Sequence, residues 1–172
     1  EKAFLMTKNH GRTKERFNKQ LEDSLKRLQT DYIDLLQLHE IINIGDPAKI
    51  DKEGVLEAAL KAKKEGKIRY IGFTGHRYPL LHQQMLDLEF DWDTVQLPVN
   101  VLDYHYRSFQ NQIIPQANKK NMGVIGMKSL ASGHIFKTDI KVEEAIRYSL
   151  SMPISTLVSG IDSFEILKQN LD

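Results

Sequence analysis

Two titratable side chains stand where apolar runs of the sequence end. The run 32–38 is followed by His39 and Glu40, and the shorter run 3–7 is followed by Lys8. If the two runs are neighbouring parallel strands, Lys8 and His39 lie at the carboxyl edge of one sheet, where α/β barrels carry their active sites. An ammonium group beside an imidazole can shift the pKa of a third acid and stabilise a developing oxyanion. The pair therefore indicates proton-transfer chemistry.

Two simpler interpretations of these residues stay open. Lys8 can be a solvated lysine at a strand end, since lysine is mostly exposed in proteins. His39 can be a histidine whose ring is hydrogen-bonded by the backbone, because polar groups near a core need partners.

A metal site is the rival chemistry, since His10, His39, Glu40 and His76 all follow predicted strands. Adjacent side chains point to opposite sides of an extended strand, and no HxH or HExxH spacing brings two nitrogens to ligand distance. We therefore predict no bound metal.

Composition narrows the partners of the chain. Lys and Arg number 24 against 23 Asp and Glu, and the basic residues are spread along the sequence, which argues against nucleic acid or anionic lipid as a partner. The absence of cysteine and of any membrane-length apolar stretch predicts a cytoplasmic location, with no disulfide and no zinc-thiolate site. A small molecule is the expected ligand.

Short apolar runs alternate with longer amphipathic segments along the whole chain, a pattern typical of parallel strands joined by helices. The predicted strands are 3–7, 32–38, 68–73, 94–99, 123–127 and 156–159. Reactive or glycine-rich residues follow almost every strand, which favours a (β/α)8 TIM barrel over an open sheet with a single switch point. A complete barrel has about 250 residues, so we predict a single domain, 1–172, with about six of the eight βα units and without the first two.

The helical segments carry recognisable ends and apolar stripes. Thr13 is the expected cap of the first helix, Gly66 of the second, and Pro79 the start of the third. The fourth is predicted to run from Phe109 to Gly123. The apolar stripe of the first helix is expected at Phe17, Leu21, Leu25 and Leu28, and that of the second at Val55, Leu56, Ala59, Leu60 and Lys63. A fifth helix is expected to stop before Pro153, and a last helix to begin at about Ser163. His82 is expected on a helix surface, and Trp92 is expected to pack beside Phe90.

The loops after the last two strands are suited to an anion. The segment 128–133 offers small residues and exposed amides, and 160–163 opens a helix whose amino terminus attracts phosphate. Each segment, taken by itself, is explained equally well as an ordinary loop without a ligand. No GxGxxG or GxxxxGK[ST] pattern occurs, so neither a Rossmann nor a P-loop cradle is expected.

Over essentially its whole length the sequence resembles the aldo-keto reductases. Five segments in order carry the resemblance: Phe4–Lys8, Gln20–His39, Gly66–Thr74, Gln96–Asn100 and Gly123–Lys128. The resemblance implies a TIM barrel, with strands 3 to 8 present here, that binds NADP or NAD at its carboxyl rim. It also implies an oxidoreductase that passes hydride to the carbonyl of an aldehyde or ketone.

The resemblance also implies roles for individual residues. Lys8 matches the lysine that lowers the pKa of the family's proton-donating tyrosine, and His39 matches the histidine that orients the carbonyl. The tyrosine and the aspartate of that tetrad belong to units that precede Glu1. Two further interpretations are a non-catalytic nicotinamide-nucleotide-binding or structural barrel module and, less favoured, a metal-dependent hydrolase. The branch indicated by Gln96–Asn100 sometimes carries an iron-sulfur extension, and none is visible in this sequence.

The cofactor positions also follow from the resemblance. Thr74 and Gln96 match the residues that bind the nicotinamide carboxamide in the family. Gly75 stands where many members have asparagine, and Met127 stands where an aromatic ring commonly stacks on the nicotinamide. The pyrophosphate loop matches Lys128, Ser129, Leu130 and Gly133, and the adenosine end matches Gly160, Ile161, Asp162, Ser163, Gln169 and Asn170. Gly160 and Ile166 stand where the family places a lysine and an arginine for the 2′-phosphate, which predicts weak NADP preference or NAD use.

Overall fold

Six strands alternate with eight α-helices in the computed structural model, which describes residues 3–171. The strands are β1 (Met6–Asn9), β2 (Ile33–Leu38), β3 (Ile68–Thr74), β4 (Thr94–Pro98), β5 (Gly123–Met127) and β6 (Thr156–Leu157). The helices are α1 (Lys14–Leu28), α2 (Asp46–Lys52), α3 (Val55–Lys64), α4 (Pro79–Leu86), α5 (Phe109–Gln112), α6 (Ile114–Lys119), α7 (Val142–Ser151) and α8 (Phe164–Leu171). A 3₁₀ segment, Ala131–Lys137, follows β5. The strands follow chain order in the sheet.

The predicted strands are all present, and all except β5 have shifted ends. β1 begins at Met6 rather than Ala3 and extends through Lys8 to Asn9, so that Lys8 lies within the strand instead of after it. β6 stops at Leu157, two residues before the predicted end. The chain divides into unit 1 (Glu1–Val95) and unit 2 (Gln96–Asp172). Its organisation as a single domain stays a prediction.

In unit 1 three parallel strands form the support of the candidate site. Lys8 of β1 pairs with Gln37 of β2, and Leu38 of β2 pairs with Phe73 of β3. Every residue of β2 is buried, as expected of a parallel strand covered on both faces. Because the strands run in the same direction, their carboxyl ends meet at one edge.

The helices of unit 1 largely match their sequence signals. Thr13 caps α1, its hydroxyl accepting a hydrogen bond from the Arg16 amide at 3.3 Å. Gly66 takes the left-handed conformation (φ 74°) just beyond α3, and α4 begins at Pro79. The predicted stripes extend too far, since Leu28 and Leu60 are exposed.

Two predictions for the region around α4 have opposite outcomes. The prediction that His82 lies on a helix surface is wrong. His82 is fully buried, and its ring lies 5.3 Å from that of Phe73. The burial arises because α4 is covered on more than one stripe. Trp92 is buried, contacts the ring of Phe90 and donates its indole N–H to the Met85 carbonyl, as packing before β4 requires.

In unit 2 the predicted fourth helix is two short helices. Proline lacks the amide that a helix interior needs, so Pro115 takes the first turn of a new helix, α6, after α5 ends at Gln112. The left-handed residue beyond α6 is Asn121 (φ 57°), and Gly123 opens β5 instead of ending the helix.

The remaining elements of unit 2 follow the prediction closely. α7 ends before Pro153, and Ser163 caps α8, its hydroxyl accepting from the Ile166 amide at 3.2 Å. β5 pairs in parallel with β6, and the Val99 amide donates to the Met127 carbonyl at 2.9 Å. Within residues 3–171, no helix has the length and apolar character needed to cross a bilayer.

Candidate functional site

The candidate site of unit 1 lies at the carboxyl ends of β1, β2 and β3. We call Lys8, His10, His39, Glu40 and Thr74 the rim cluster. Beyond the strand ends the backbone pairing continues: the His39 amide donates to the Asn9 carbonyl and the Ile41 amide to the Thr74 carbonyl, both at 2.8 Å. The predicted lysine and histidine are therefore held at the same edge by backbone hydrogen bonds.

His39 has a second histidine as its partner. Its Nδ1 lies 2.8 Å from Nε2 of His10, and the two rings meet edge to face with centroids 4.3 Å apart. Burial, followed by the positive charges of His10 and Lys8, lowers the pKa of His39 from its ordinary 6.5, against an opposing effect of Glu40. Because its pKa lies below the ordinary 6.5, His39 is mostly neutral at pH 7.

Arg12 forms hydrogen bonds with the backbone at His39. Nη2 of Arg12 donates to the carbonyl of His39 at 2.7 Å and to that of Glu40 at 3.2 Å. The guanidinium also meets the buried carboxylate of Asp46, with Nε 3.3 Å from Oδ1 and Nη2 3.5 Å from Oδ2. Arg12 thereby fixes the position of the peptide between His39 and Glu40.

Asp46 is the anchor of this arrangement. Its Oδ2 accepts hydrogen bonds from the amides of Ile42 and Asn43, each at 3.2 Å. Burial by itself would raise the pKa of Asp46, but the hydrogen bonds from Asn43 and Arg12 outweigh it and hold the pKa below its ordinary value. Sequence reasoning missed Arg12 and Asp46, because the partners are 34 positions apart and neither belongs to a local motif.

The four candidates for a metal site form two separate pairs. His10 contacts His39, while Glu40 lies 3.3 Å from Nε2 of His76. Over the described part of the chain, residues 3–171, no group of three or more His, Asp and Glu side chains is arranged for a metal ion.

The position next to Thr74 accepts no side chain. A Cβ on Gly75 would lie 2.8 Å from the Ile41 carbonyl oxygen and 2.7 Å from a ring carbon of His82. Close packing therefore requires glycine here and leaves no room for a side chain such as asparagine. Thr74 itself is buried, with 2% of its surface exposed.

In unit 2, Gln96 and Met127 stand on neighbouring strands. Nε2 of Gln96 lies 3.4 Å from the sulfur of Met127. Gln96 is buried, and no residue within 3–171 donates a hydrogen bond to its Oε1. A buried acceptor without a donor costs about 1–3 kcal/mol, so Oε1 is suited to an amide N–H of a ligand.

A pocket of about 700 Å³ lies between the loop after β5 and the segment from β6 to α8. Of the predicted cofactor residues, Lys128, Ser129, Leu130, Gly160, Ile161, Asp162, Gln169 and Asn170 line it. Gly133 and Ser163 do not line it, and Met127 lies beside Gln96 instead. Ser132, from the predicted anion segment 128–133, also lines it, as does Ile166, which entered only the 2′-phosphate comparison. Sequence reasoning gave no binding role to the lining residues Phe136, Val142, Val158 and Ser159.

The loop on one side of this pocket has an unusual backbone. Lys128, Ala131 and Ser132 have φ between 49° and 56°, and Gly133 has φ 87°. Left-handed conformations of non-glycine residues are uncommon and concentrate at functional sites. On the other side, Nδ2 of Asn170 donates to the hydroxyl of Ser159 at 3.1 Å and ties α8 to the end of β6.

The sequence is similar to known proteins of one family. The model of the Aldo/keto reductase family matches residues 1–158. L-galactose dehydrogenase of Arabidopsis thaliana is 36% identical over 121 residues, which are 69% of this chain and 36% of that protein. Aldo-keto reductase AFTS1 of Alternaria alternata is 33% identical over 119 residues, 67% of this chain and 31% of that protein.

A solved structure agrees over nearly the whole chain. The holo form of aldo-keto reductase AKR11C1 from Bacillus halodurans superimposes with a TM-score of 0.77 at 26% identity, covering 98% of this chain and 65% of its own. The chain thus spans between about a third and two thirds of the length of these three relatives.

The chain belongs to the aldo/keto reductase family. The predicted fold class, a section of a TIM barrel, is confirmed by the parallel strands in chain order and by this structural similarity.

Proposed function

We propose that the unit 2 pocket binds a nicotinamide dinucleotide and that the whole protein uses it to reduce an aldehyde or ketone. One observation carries the proposal: residues from two loops about 30 positions apart, assigned to the pyrophosphate and the adenosine by resemblance, line a single pocket. Its volume, about 700 Å³, lies within the range of roughly 300–1,000 Å³ typical of cofactor sites.

The side chains present fit the two ends of such a ligand. Among the lining residues within 3–171, Lys128 is the only lysine or arginine, and it is suited to the pyrophosphate charge. The unpaired Oε1 of Gln96 would accept a hydrogen bond from the nicotinamide carboxamide.

The lining charges favour NAD over NADP. Gly160 and Ile166 line the pocket without the cations that a 2′-phosphate requires, and Asp162 adds a negative charge there. A carboxylate accepts hydrogen bonds from ribose hydroxyls, as in other NAD sites, and repels a phosphate dianion.

The reaction proposed for the whole protein is carbonyl reduction. The reduced nicotinamide, when bound, supplies a hydride to the carbonyl carbon and becomes oxidised, and the carbonyl oxygen takes a proton to give an alcohol. A separate acid delivers this proton, and we assign that acid to no residue of this chain. The ammonium group of Lys8 favours negative charge on the acid. Neutral His39 donates a hydrogen bond to the carbonyl oxygen as charge develops on it.

Isothermal titration of the chain with NADH and with NADPH tests the proposal. We expect both to bind and NADH to bind more tightly. Asp162→Asn should narrow the difference between the two ligands, because it removes the repulsion of the 2′-phosphate. Asp139→Asn removes an equal charge from an exposed position outside the pocket and should leave both affinities unchanged.

A folded chain that binds neither dinucleotide would contradict the proposal. Binding of NADH without reduction of any aldehyde or ketone by the whole protein would instead favour a nucleotide-binding module without turnover.

A further inference from the structure

The loop after β1 holds His10 in a fixed place beside His39. The His10 amide donates to Oε1 of Gln20 at 2.7 Å, and Nδ2 of Asn9 donates to the Phe17 carbonyl at 3.0 Å. A Cβ on Gly11 would overlap the backbone of Phe17, so the loop lies directly against α1. The contact between the two imidazoles therefore rests on an anchored backbone.

Two imidazole nitrogens at 2.8 Å share one proton, so that one ring donates and the other accepts. If His39 donates from Nδ1, its Nε2 is a bare acceptor. If His10 donates from Nε2, the proton of neutral His39 is on Nε2. Only the second arrangement leaves His39 a hydrogen-bond donor for a carbonyl oxygen.

The charges around the pair favour the second arrangement. Lys8 and Arg12, on β1 and the loop after it, both disfavour a proton added to His39, while Glu40 acts in the opposite sense. Glu40 is in turn paired with His76 from the loop after β3, and Arg12 with Asp46. His10 is the exposed ring of the two and His39 the partly buried one, so donation from His10 leaves the less solvated ring neutral.

We propose that His10 is a positioning residue that donates a hydrogen bond from Nε2 to Nδ1 of His39 and so keeps the His39 proton on Nε2. The proposal deepens the proposed function, since it matters for turnover only if His39 contacts a carbonyl. The state of the two rings, however, is measurable without any substrate or cofactor.

Nitrogen-15 NMR of the ring nitrogens of the chain at pH 6 and pH 7 tests the proposal directly, because protonated and bare imidazole nitrogens have different shifts. We expect His39 to carry its proton on Nε2, with Nδ1 bare. In His10→Phe, which keeps a ring but no donor, a substantial fraction of Nδ1–H His39 should appear. The pKa of His39 should rise in this variant, since a positive neighbour is removed.

His10→Gln separates positioning from mere packing. Its amide NH2 can donate to Nδ1, its oxygen can instead accept, and neither titrates, so the Nε2–H form of His39 should be more populated than in His10→Phe while the pKa stays raised as in that variant. His134→Phe, at an exposed histidine of unit 2, should change neither property.

The proposal is overturned if His39 carries its proton on Nδ1 in the unmodified chain, or if His10→Phe leaves the tautomer unchanged. Should His10→Phe fail to fold, the unmodified chain and His10→Gln still decide the question. Titration of the same samples with NADH reports separately on the proposed function. Loss of dinucleotide binding would refute that function while the NMR result stands.

Discussion

The residues of the rim cluster in unit 1 and the residues of the pocket in unit 2 are positioned by different kinds of interaction. Around the rim cluster, side chains such as Arg12 and Asp46 are tied to backbone groups and lie in or against the core. The pocket is lined by loop residues and by α8, a helix with no buried residue. Where a site is part of the core, its residues support folding and chemistry together. Where it is built on loops, its residues can serve the ligand alone.

The largest effect that separates the two regions is expected from Arg12→Met. It leaves the buried carboxylate of Asp46 without its cation, which should lower the free energy of unfolding by roughly 3–5 kcal/mol. Urea unfolding followed by Trp92, the single tryptophan and a buried residue of unit 1, measures this change. Arg12→Lys keeps the charge without the forked contacts and should lose less.

The pH dependence of this effect has a definite sign. Folding lowers the pKa of Asp46 from 3.8, so the stability that its ionised form contributes is present above about pH 4 and is lost as the pH falls further. The deficit of Arg12→Met should therefore shrink in acid, because a protonated Asp46 needs no cation. An unfolding free energy equal to that of the unmodified chain at pH 7 would show that the ion pair is not structural.

A second comparison uses one glycine from each region. The Cβ of Gly75→Ala would collide with the Ile41 carbonyl and the His82 ring, and we expect a loss of roughly 1–3 kcal/mol. Gly160→Ala adds a methyl group at a position where, apart from its chain neighbours, no atom of residues 3–171 lies within 4 Å, and it should change stability by less than about 0.5 kcal/mol. Urea unfolding followed by circular dichroism compares them, and equal losses would remove the distinction between core-built and loop-built sites.

Lys128→Met should weaken binding without weakening the fold. Loss of a charged hydrogen-bond partner of the pyrophosphate costs about 1.5–3 kcal/mol, so affinity for NADH and NADPH should fall by about 10- to 150-fold. Lys137→Met, at an exposed lysine of the 3₁₀ segment that does not line the pocket, is the matched control. Calorimetric titration gives the affinities, and a parallel loss in both variants would mean a general charge effect.

The smallest effect concerns His39 in unit 1. Because folding lowers its pKa below 6.5, the unfolded chain binds more protons near that pH, and stability should fall as the pH drops from 7 toward 5. His39→Gln removes this contribution and should flatten that part of the profile, while His134→Gln in unit 2 should not. A profile unchanged by His39→Gln would show that the histidine ring is not desolvated.

Much of the fold followed from local patterns. Thr13 caps α1, Gly66 follows the end of α3, and β5 has the predicted bounds, because each signal acts through neighbours in the chain. The errors had two causes, a local one at Pro115 and distant packing at His82. Pro115 opened a new helix rather than sitting within one, and His82 was buried by contacts that the period of α4 does not reveal.

For the candidate site, the sequence by itself determined the family, the order of the strands and the residue types at their carboxyl ends, since ordered motifs and apolar periodicity are properties of the chain. Only the tertiary structure decided the partners: His10 with His39 across 29 positions, and Arg12 with Asp46 across 34. It also decided which loop residues share the pocket. The physical reason is that a hydrogen bond or an ion pair depends on distance and direction in space, which the packing of strands and helices sets.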